Sequence, residues 1–279
     1  MTQITDAQIP IEELPMIAEG KTKIVRANAA DPSTVFLYFK DDITAGDGAR
    51  HDVFPGKAQL DWSISRDCFE YLSCFGVRTH YLDSPQDGVM AVRRLDRKIE
   101  TEVVSRRVAT GSAVACGHVE GTRFDPLLTQ FHYKDDSLHD PMLDARYLDH
   151  LCGDKGAWEW SAMRAMNEEV FQILEAAFAR FSLQLVDIKL EYGIIDGDLC
   201  VIDEISGGSF RLWPYKTSTP NLTLPNVLSE LSPQQRLDKD TYRSGGAADE
   251  VLSKFQTIAD VTSRFSDLDS VPSVSRPTE

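Results

Sequence analysis

The order of apolar and polar residues along the chain follows two different periods, and each period predicts a type of element. Short runs in which apolar and polar residues alternate are typical of half-buried strands. In the first part of the chain they predict strands at residues 21–26, 34–40, 88–95 and 101–108. A helix is predicted between them, over residues 62–75, where apolar side chains recur at helical spacing.

The second part of the chain mixes the two periods. The longest helical pattern covers residues 158–181, and we expect its methionine-bearing apolar stripe to face the core rather than a ligand. Two strands follow at residues 185–192 and 199–205, and a last helix at residues 248–265. The proline- and serine-rich residues 215–235 predict a long irregular excursion.

These elements predict an α+β fold with two lobes. We expect an N-terminal extension over residues 1–17, a β-rich lobe over residues 18–100 and a mixed α/β lobe over residues 101–265. The tail, residues 266–279, lacks apolar mass and is expected to be disordered. The cleft between the two lobes is the default place for a ligand.

The strands at residues 185–205 form a predicted hairpin whose register decides where its charged side chains point. A two-residue loop, Asp196-Gly197, places Asp203 on the face opposite to Glu191. A three-residue loop, which adds Ile195, places them on the same face. Alternating polar residues are also typical of a plain solvated face, so the alternation alone does not identify a site.

We expect the three-residue loop, because it gathers the charged side chains of the hairpin on one face. These side chains are Asp187, Lys189, Glu191 and Asp203. Like charges that are held together need a cation or a nearby lysine to offset them. The hairpin therefore predicts a bound divalent ion, and oxygen ligands of this kind suit Mg²⁺ when a nucleotide phosphate shares the ion.

The composition narrows the class of function. Apolar residues make up 42% and charged residues 26% of the 279 residues, which is ordinary for a globular protein. The net charge of −15 argues against nucleic acid or acidic membranes as partners, whereas a phosphorylated small molecule needs only a local cluster of cations. The five widely spaced cysteines indicate a reducing compartment and no zinc site. With no signal peptide and no membrane-spanning run, the chain is expected to be cytoplasmic.

Five further segments are rich in charged residues, three of them also contain glycine, and all are candidates for contact with the substrates. They are residues 18–23, 42–50, 106–112, 134–141 and 238–243. Lys21 and Lys23 stand at i and i+2 of a predicted strand, so we expect both to contact one phosphate chain. Arg106 before the Thr110-Gly111-Ser112 turn suits a phosphate monoester. Taken alone, residues 18–23 are more typical of a solvated edge strand and residues 42–50 of a plain surface turn, whereas residues 106–112 point more directly to a phosphate.

In their order along the chain, these segments resemble the SAICAR synthetase family. The matching pieces are EGKTK (19–23), DDITAGDGAR (41–50), EVVSRRVATGS (102–112), YKDDSLHDP (133–141), VDIKLEYG (186–193), IDEIS (202–206), SFRLWP (209–214) and LDKDTYR (237–243). The resemblance implies a two-lobed fold related to protein kinases and ATP-grasp enzymes, with ATP in the cleft. It also implies a ligase that joins the carboxylate of the ribonucleotide CAIR to L-aspartate through an acyl phosphate, giving SAICAR, ADP and phosphate.

The resemblance implies roles for individual residues. The ATP-binding residues are Lys21, Lys23 and Glu102, and the Mg²⁺ ligands are Glu191 and Asp203. The catalytic residues are Lys134, Asp187 and Lys189. The substrate-binding residues are Asp47, Arg106, Ser112, Asp140, Arg211, Lys239 and Arg243. Related enzymes are commonly oligomeric, so a homo-oligomer is compatible with the resemblance.

The chain also departs from the family pattern. The acid that the family carries five residues after Asp203 is replaced by Gly208, and the Lys-Arg pair after Ser112 is replaced by residues 113–116. Two alternatives therefore stay open: a paralogous ligase acting on another azole-carboxylate ribonucleotide or another amine, as in nucleoside natural-product biosynthesis, and a non-catalytic nucleotide-binding paralogue. Protein-kinase activity is disfavoured, because the H-R-D and D-F-G motifs are absent from the sequence.

Overall fold

The structure, a computed structural model of the chain, describes residues 13–45, 50–152, 156–214, 235–237, 240–243 and 245–268. Its strands form two five-stranded sheets and a separate two-stranded hairpin. The predicted site residues Asp47 and Lys239, most of the predicted excursion and most of the predicted tail lie outside the described residues. Within the described part of the chain, no helix is long and apolar enough to cross a membrane.

The first sheet is antiparallel, with its strands in the order β1-β2-β3-β7-β6. They are β1 (Met16–Glu19), β2 (Lys23–Ala27), β3 (Thr34–Phe39), β6 (Tyr81–Gln86) and β7 (Val89–Arg93). Three of them confirm the strands predicted at residues 21–26, 34–40 and 88–95. The polar edge strand β6 and the hairpin of β4 (Asp42–Ala45) and β5 (Arg50–Val53) were not predicted. Their short segments carry too little apolar alternation to be recognised.

Helix α1 (Lys57–Ser73) packs between the first sheet and helix α6 (Ala248–Thr262). Ile64, Cys68 and Leu72 form its fully buried stripe, which confirms the predicted helix. The helix begins at Lys57 rather than at residue 62, because Lys57 and Asp61 form a buried ion pair one turn apart. These two charged residues interrupt the apolar pattern, so the pattern does not indicate the first residues of the helix.

The second sheet is also antiparallel and has the long strand β10 at its centre. Its strands are β8 (Arg97–Val108), β9 (Arg123–Tyr133), β10 (Leu183–Ile195), β11 (Asp198–Ile202) and β12 (Phe210–Pro214). One side of β10 pairs with β8, and the other pairs with β12 and then β11. Helix α4 (Gly156–Ala179) covers this sheet through fully buried Val170, Leu174 and Phe178, as the apolar stripe predicted. The small helices are α2 (Ser112–Ala115), α3 (Ala145–Cys152) and α5 (Asp240–Arg243).

The predicted three-residue loop between β10 and β11 is wrong. Ile195 pairs with Asp198, so the loop contains only Asp196 and Gly197, both with positive φ (53° and 81°). Aspartate tolerates the left-handed conformation, and two such residues match the natural twist of a hairpin. Strand β11 ends at Ile202, so Asp203 lies beyond the strand. The hairpin register therefore does not decide the direction of its side chain.

A short backbone seam joins the two sheets. Thr79, just before β6, forms a parallel bridge with Val201 on β11. The His80 N–H donates to Val201 O at 3.0 Å, while His80 O accepts from the Arg93 N–H on β7 at 2.8 Å. The seam therefore fixes one sheet relative to the other next to the end of β11.

Candidate active site

Three strands of the second sheet hold one carboxylate between two guanidinium groups. In the register of the sheet, Asp187 on β10 lies opposite Arg106 on β8 and Arg211 on β12. The Oδ2 atom of Asp187 accepts hydrogen bonds from Arg106 Nη1 and from Arg211 Nη1, the second at 2.7 Å. The acid and Arg106 are buried and Arg211 nearly so, so the sheet itself fixes their positions.

Helix α5 adds a second carboxylate and a third guanidinium group. Asp240 accepts hydrogen bonds from Arg211 Nε at 2.8 Å and from Arg243 Nη1 at 2.5 Å. Burial raises the pKa of Asp240, but the hydrogen bond and charge of Arg211, with help from Arg243, outweigh it and lower the pKa to about 2. We call Arg106, Arg211, Arg243, Asp187 and Asp240 the arginine cluster, in which the cations outnumber the anions.

The turn before helix α2 lies beside the arginine cluster. Arg106 Nη2 donates a hydrogen bond to Ser112 Oγ at 2.7 Å. Gly111 has a φ of 55°, and a Cβ atom there would lie 3.2 Å from Arg211 Nη2, so glycine is what lets this guanidinium approach the turn. Surplus positive charge, a hydroxyl group and an open glycine turn together suit a phosphate monoester.

A second cluster lies further along β10, where two glutamates stand opposite each other. Glu191 on β10 is the register partner of Glu102 on β8, and facing like charges are destabilising by themselves. Lys134 Nζ bridges them, at 3.0 Å from Glu102 Oε1 and 2.5 Å from Glu191 Oε1. Lys189 Nζ donates to Glu102 Oε1 at 2.5 Å, and Lys98 Nζ lies 3.2 Å from Glu191 Oε2. We call these five residues the lysine cluster.

Electrostatic attraction outweighs burial at two members of the lysine cluster, Glu102 and Lys134. Burial raises the pKa of Glu102, but Lys189 and Lys134 outweigh it and lower the pKa to about 2. Burial likewise lowers the pKa of Lys134, but Glu191 and Glu102 outweigh it and hold the pKa above its ordinary value. Glu102 and Lys134 are therefore both ionised at neutral pH.

Lys23 on β2 connects the first sheet to the acids that follow β11. Its Nζ lies 3.2 Å from Asp203 Oδ1 and 2.9 Å from Glu204 Oε2. Burial lowers the pKa of Lys23, but these two acids outweigh it and raise the pKa above its ordinary value. Burial raises the pKa of Asp203, whereas the charges of Lys23 and Lys134 lower it to about 2. Asp203 directly follows Ile202, the register partner of Glu191, so this group adjoins the lysine cluster and both sheets contribute to one candidate site.

The structure brings together most of the predicted site residues that it describes. Lys21 is exposed and precedes β2, so the predicted strand geometry that set it beside Lys23 is wrong: the strand begins only at Lys23. Asp140 lies in the turn after β9, where its Oδ1 accepts a hydrogen bond from the Asp135 N–H at 2.9 Å. The residues that do come together are Lys23, Glu102, Arg106, Ser112, Lys134, Asp187, Lys189, Glu191, Asp203, Arg211 and Arg243.

The acids of this site suit a metal that is shared with a nucleotide. Among the described residues, no group of three or more His, Cys, Asp or Glu side chains is placed to hold a metal ion by itself. Glu191 and Asp203 are each paired with lysine. Mg²⁺ bound with a nucleotide takes one or two protein carboxylates and fills its other positions with phosphate oxygens and water. The donor set formed by these two acids fits that requirement.

Four residues of the site were not assigned a role from the sequence. Glu204 and Asp240 stand beside predicted residues in the same motifs, and that adjacency was an available signal. Lys98 and His80 carried no such signal, because each acts on a residue more than ninety positions away in the sequence. His80 Nε2 lies 3.1 Å from the backbone oxygen of Asp203.

Known proteins of similar sequence match most of the chain. The SAICAR synthetase family model matches residues 16–258. A phosphoribosylaminoimidazole-succinocarboxamide synthase of Chloroflexus aurantiacus is 39% identical over 258 residues, which cover 90% of this chain and 96% of that protein. The synthase of Herpetosiphon aurantiacus is 38% identical over 262 residues, which cover 89% of this chain and 97% of that protein.

Solved structures show the same similarity. A type-2 SAICAR synthetase in complex with ADP superposes with a TM-score of 0.76 at 29% identity, covering 88% of this chain and 96% of that one. The phosphoribosylaminoimidazole-succinocarboxamide synthase of Ehrlichia chaffeensis also gives a TM-score of 0.76, at 28% identity, covering 89% of this chain and 98% of that one. The similarity therefore covers nearly the whole chain.

Proposed function

Because the chain belongs to the SAICAR synthetase family, we propose that it is an ATP-dependent carbon–nitrogen ligase of purine biosynthesis. It joins the carboxylate of CAIR to the amino group of L-aspartate, and the products are SAICAR, ADP and phosphate. The observation that carries this proposal is the presence of the arginine cluster and the lysine cluster along the same strand, β10. The first suits the phosphate of a ribonucleotide, and the second suits the phosphates of ATP.

The two clusters match the chemistry of amide formation from a carboxylate. A carboxylate oxygen of CAIR attacks the γ-phosphorus of ATP, and ADP leaves. The amine of aspartate then attacks the carbonyl carbon of the acyl phosphate, loses a proton, and phosphate leaves. Both steps move negative charge between phosphoryl oxygens, so catalysis consists mainly of positioning and of neutralising that charge.

The ribonucleotide phosphate is assigned to the arginine cluster. Arg106 and Arg211 supply guanidinium donors, Ser112 supplies a hydroxyl group, and Arg243 adds charge at the open side. Asp187 orients the first two guanidinium groups, so its part in catalysis is to place the substrate. Guanidinium groups held in fixed positions match the geometry of carboxylate and phosphate oxygens.

The lysine cluster and Lys23 are assigned to the reacting phosphoryl groups. Lys23 contacts the ATP phosphates from β2, while Lys134 and Lys189 stabilise negative charge on the acyl phosphate. Glu102 keeps these last two ammonium groups in place and in this way supports the ATP site. Lys21 is assigned to the same phosphates from the segment before β2.

Glu191 and Asp203 would hold Mg²⁺. When bound, the ion supplies neutralising charge to the ATP phosphates. The lysines beside both acids offset the charge of the carboxylates, and a bound ion would add to that neutralisation. Asp47, Asp140 and Lys239 stay proposed contacts of the imidazole and of L-aspartate.

The decisive experiment is an assay of ADP release with Mg-ATP, CAIR and L-aspartate, with the product identified by mass. We expect ADP release that requires all three substrates and yields a succinocarboxamide ribonucleotide. Absence of turnover with CAIR, in a folded protein that still binds Mg-ADP, would contradict the purine reaction.

A ligase for another azole-carboxylate ribonucleotide or another amine is the second candidate. It is favoured by Gly208, which leaves the tight Ser206–Ser209 turn after Asp203 without an acidic side chain at that position. Gly208→Asp tests this candidate. A gain in CAIR turnover would support altered specificity, and turnover that is already high and does not improve would contradict it. Retention of both clusters disfavours a non-catalytic binding paralogue.

The proposal also covers the cellular compartment, the partners and the oligomeric state of the enzyme. All five cysteines carry free thiols, which supports a reducing compartment, and we place the enzyme in the cytoplasm. Its partners are the small-molecule substrates rather than nucleic acid or membrane. A homo-oligomer is part of the proposal, and light scattering of the purified chain tests it.

A further inference from the structure

The backbone of Asp203 is held in an uncommon conformation. Its φ of 70° lies in the left-handed region, which residues other than glycine seldom adopt. Such a conformation costs free energy and persists only where its surroundings stabilise it. Here it follows the last residue of β11 and directs the carboxylate to Lys23, 3.2 Å away.

His80 is the side chain that contacts this backbone. Its Nε2 atom lies 3.1 Å from Asp203 O, and because a carbonyl oxygen only accepts, Nε2 carries the hydrogen. The ring is buried at 3% exposure and packs edge-on against Phe69, with 5.5 Å between the ring centroids. The donor is therefore fixed in direction by the packing around it.

The position of His80 in the fold makes this contact a link between the two sheets. Its backbone N–H and C=O belong to the seam, with bonds to Val201 and Arg93. Its side chain reaches one step further, to the residue that follows β11. The seam therefore fixes the position of the imidazole. The imidazole in turn holds the carbonyl group of Asp203, the residue at which the chain leaves the sheet.

We propose that His80 is a positioning residue that holds the Asp203 carboxylate where Mg²⁺ and the ATP phosphates require it. It touches neither substrate nor metal and acts only through the carbonyl of Asp203. The inference rests on the proposed function, because it needs Asp203 to be a ligand of nucleotide-bound Mg²⁺. It adds to that function the group that sets the geometry of the ligand.

The test compares nucleotide binding with and without metal, using the full-length chain and isothermal titration with ADP. His80→Phe keeps a buried ring and removes the donor. We expect it to weaken Mg-ADP binding about tenfold, because groups that orient a metal ligand typically change metal affinity by this amount or more. Binding of ADP in the presence of EDTA should change less than about twofold, and so should the KM for CAIR, since neither uses the metal carboxylate.

Two further variants separate positioning from general support of the fold. His80→Gln offers an amide donor near the place of Nε2 and should recover most of the Mg-ADP affinity, whereas His80→Asn, whose donor corresponds to Nδ1, should not. Thr79→Val is the matched control, because it alters the neighbouring seam residue without contacting Asp203. It should leave Mg-ADP binding unchanged.

The outcomes distinguish this inference from the proposed function. Wild-type binding of Mg-ADP with equal binding by His80→Phe, or an equal loss in Thr79→Val, would overturn the positioning role alone. If His80→Phe does not fold, equal binding by the Gln and Asn variants would overturn it. A wild-type chain that binds no Mg-ADP would overturn the proposed function, and the positioning role with it.

Discussion

Glu102 is ionised although it is largely buried, and its charge depends on two lysines that lie 32 and 87 positions away in the sequence. Its ordinary pKa of 4.5 falls to about 2, because Lys189 and Lys134 outweigh burial. A carboxyl group with a depressed pKa stabilises the fold above its ordinary pKa. That stabilisation is lost as the pH falls through the folded value.

Glu102→Gln should therefore change how stability depends on pH. We expect the variant to be less stable than the wild type at pH 7, and the difference to shrink as the pH falls from about 4.5 towards about 2. Urea unfolding at a series of pH values measures this. Glu100→Gln, at an exposed position on the same strand, is the control. Its free energy of unfolding should depend on pH as that of the wild type does. A difference that does not vary with pH would contradict the assignment.

The backbone conformation of Gly111 leaves space for the Arg211 guanidinium, which we propose to bind the substrate. If the arginine cluster binds CAIR as proposed, Gly111→Ala should raise the KM for CAIR about tenfold and leave the KM for ATP unchanged, because a Cβ atom would press on the Arg211 guanidinium. Gly117→Ala is a matched control, since Gly117 also has positive φ (99°) but nothing within 4 Å of its Cβ position. Equal effects of the two variants on the KM for CAIR would show that backbone strain alone is responsible.

Glu191 is the acid whose removal should stop the reaction. Glu191→Gln keeps the shape of the side chain but removes the charge that we propose to bind the metal, beside Lys134. We expect ADP formation with CAIR and L-aspartate to fall by at least about a hundredfold. The circular dichroism spectrum should stay that of the wild type. Full activity in a folded variant would refute the metal assignment.

At the scale of elements, the four-residue helix α5 connects the arginine cluster to the β4–β5 hairpin. Asp240 at its start holds Arg211, and Tyr242 near its end holds β5. The Tyr242 hydroxyl donates to Asp52 Oδ2 at 2.9 Å, and Arg50 donates to Tyr242 O at 2.7 Å. The Arg50 guanidinium also lies over the Tyr242 ring, 4.1 Å from its centroid.

Tyr242→Phe should lower the free energy of unfolding by about 1 kcal/mol, the usual net value of one hydrogen bond. Urea unfolding measures the change, and Tyr147→Phe at an exposed position should have no effect. If the hydroxyl acts through Asp52, combining Tyr242→Phe with Asp52→Asn should cost less than the sum of the two single variants. Additive losses would contradict a direct interaction.

Apolar periodicity predicted the elements that pack against the core, and chemistry confined to a short segment predicted much of the site. The helix at residues 158–181 and the Arg106–Ser112 contact are examples. The loop after Ile195 was predicted incorrectly, because the sequence permits both registers and aspartate made the shorter one favourable. The pairing of Lys98 with Glu191 was not predictable, since it is set by strand register between distant segments.

At the scale of the whole molecule, a chain with a net charge of −15 builds a site with surplus positive charge. The sheets make this possible, because cations from β2, β8, β10 and β12 converge although they are scattered along the sequence. Long-range repulsion between the acidic surface and anionic substrates is screened by salt, whereas the partly buried ion pairs of the site are screened much less. We therefore expect substrate affinity to depend on the local clusters rather than on the overall charge.

The spacing of residues along strand β10 sets the distance between the arginine cluster and the lysine cluster. Asp187, Lys189 and Glu191 point to the same face, and an antiparallel strand advances about 3.4 Å per residue, so about 14 Å separate the first from the last. Under the proposed function, a ribonucleotide would lie along the strand, with its phosphate at the arginine cluster and its reacting carboxylate near the lysine cluster. We therefore expect this interval, which is set by the repeat of the polypeptide backbone, to limit the size of a nucleotide that reaches both clusters.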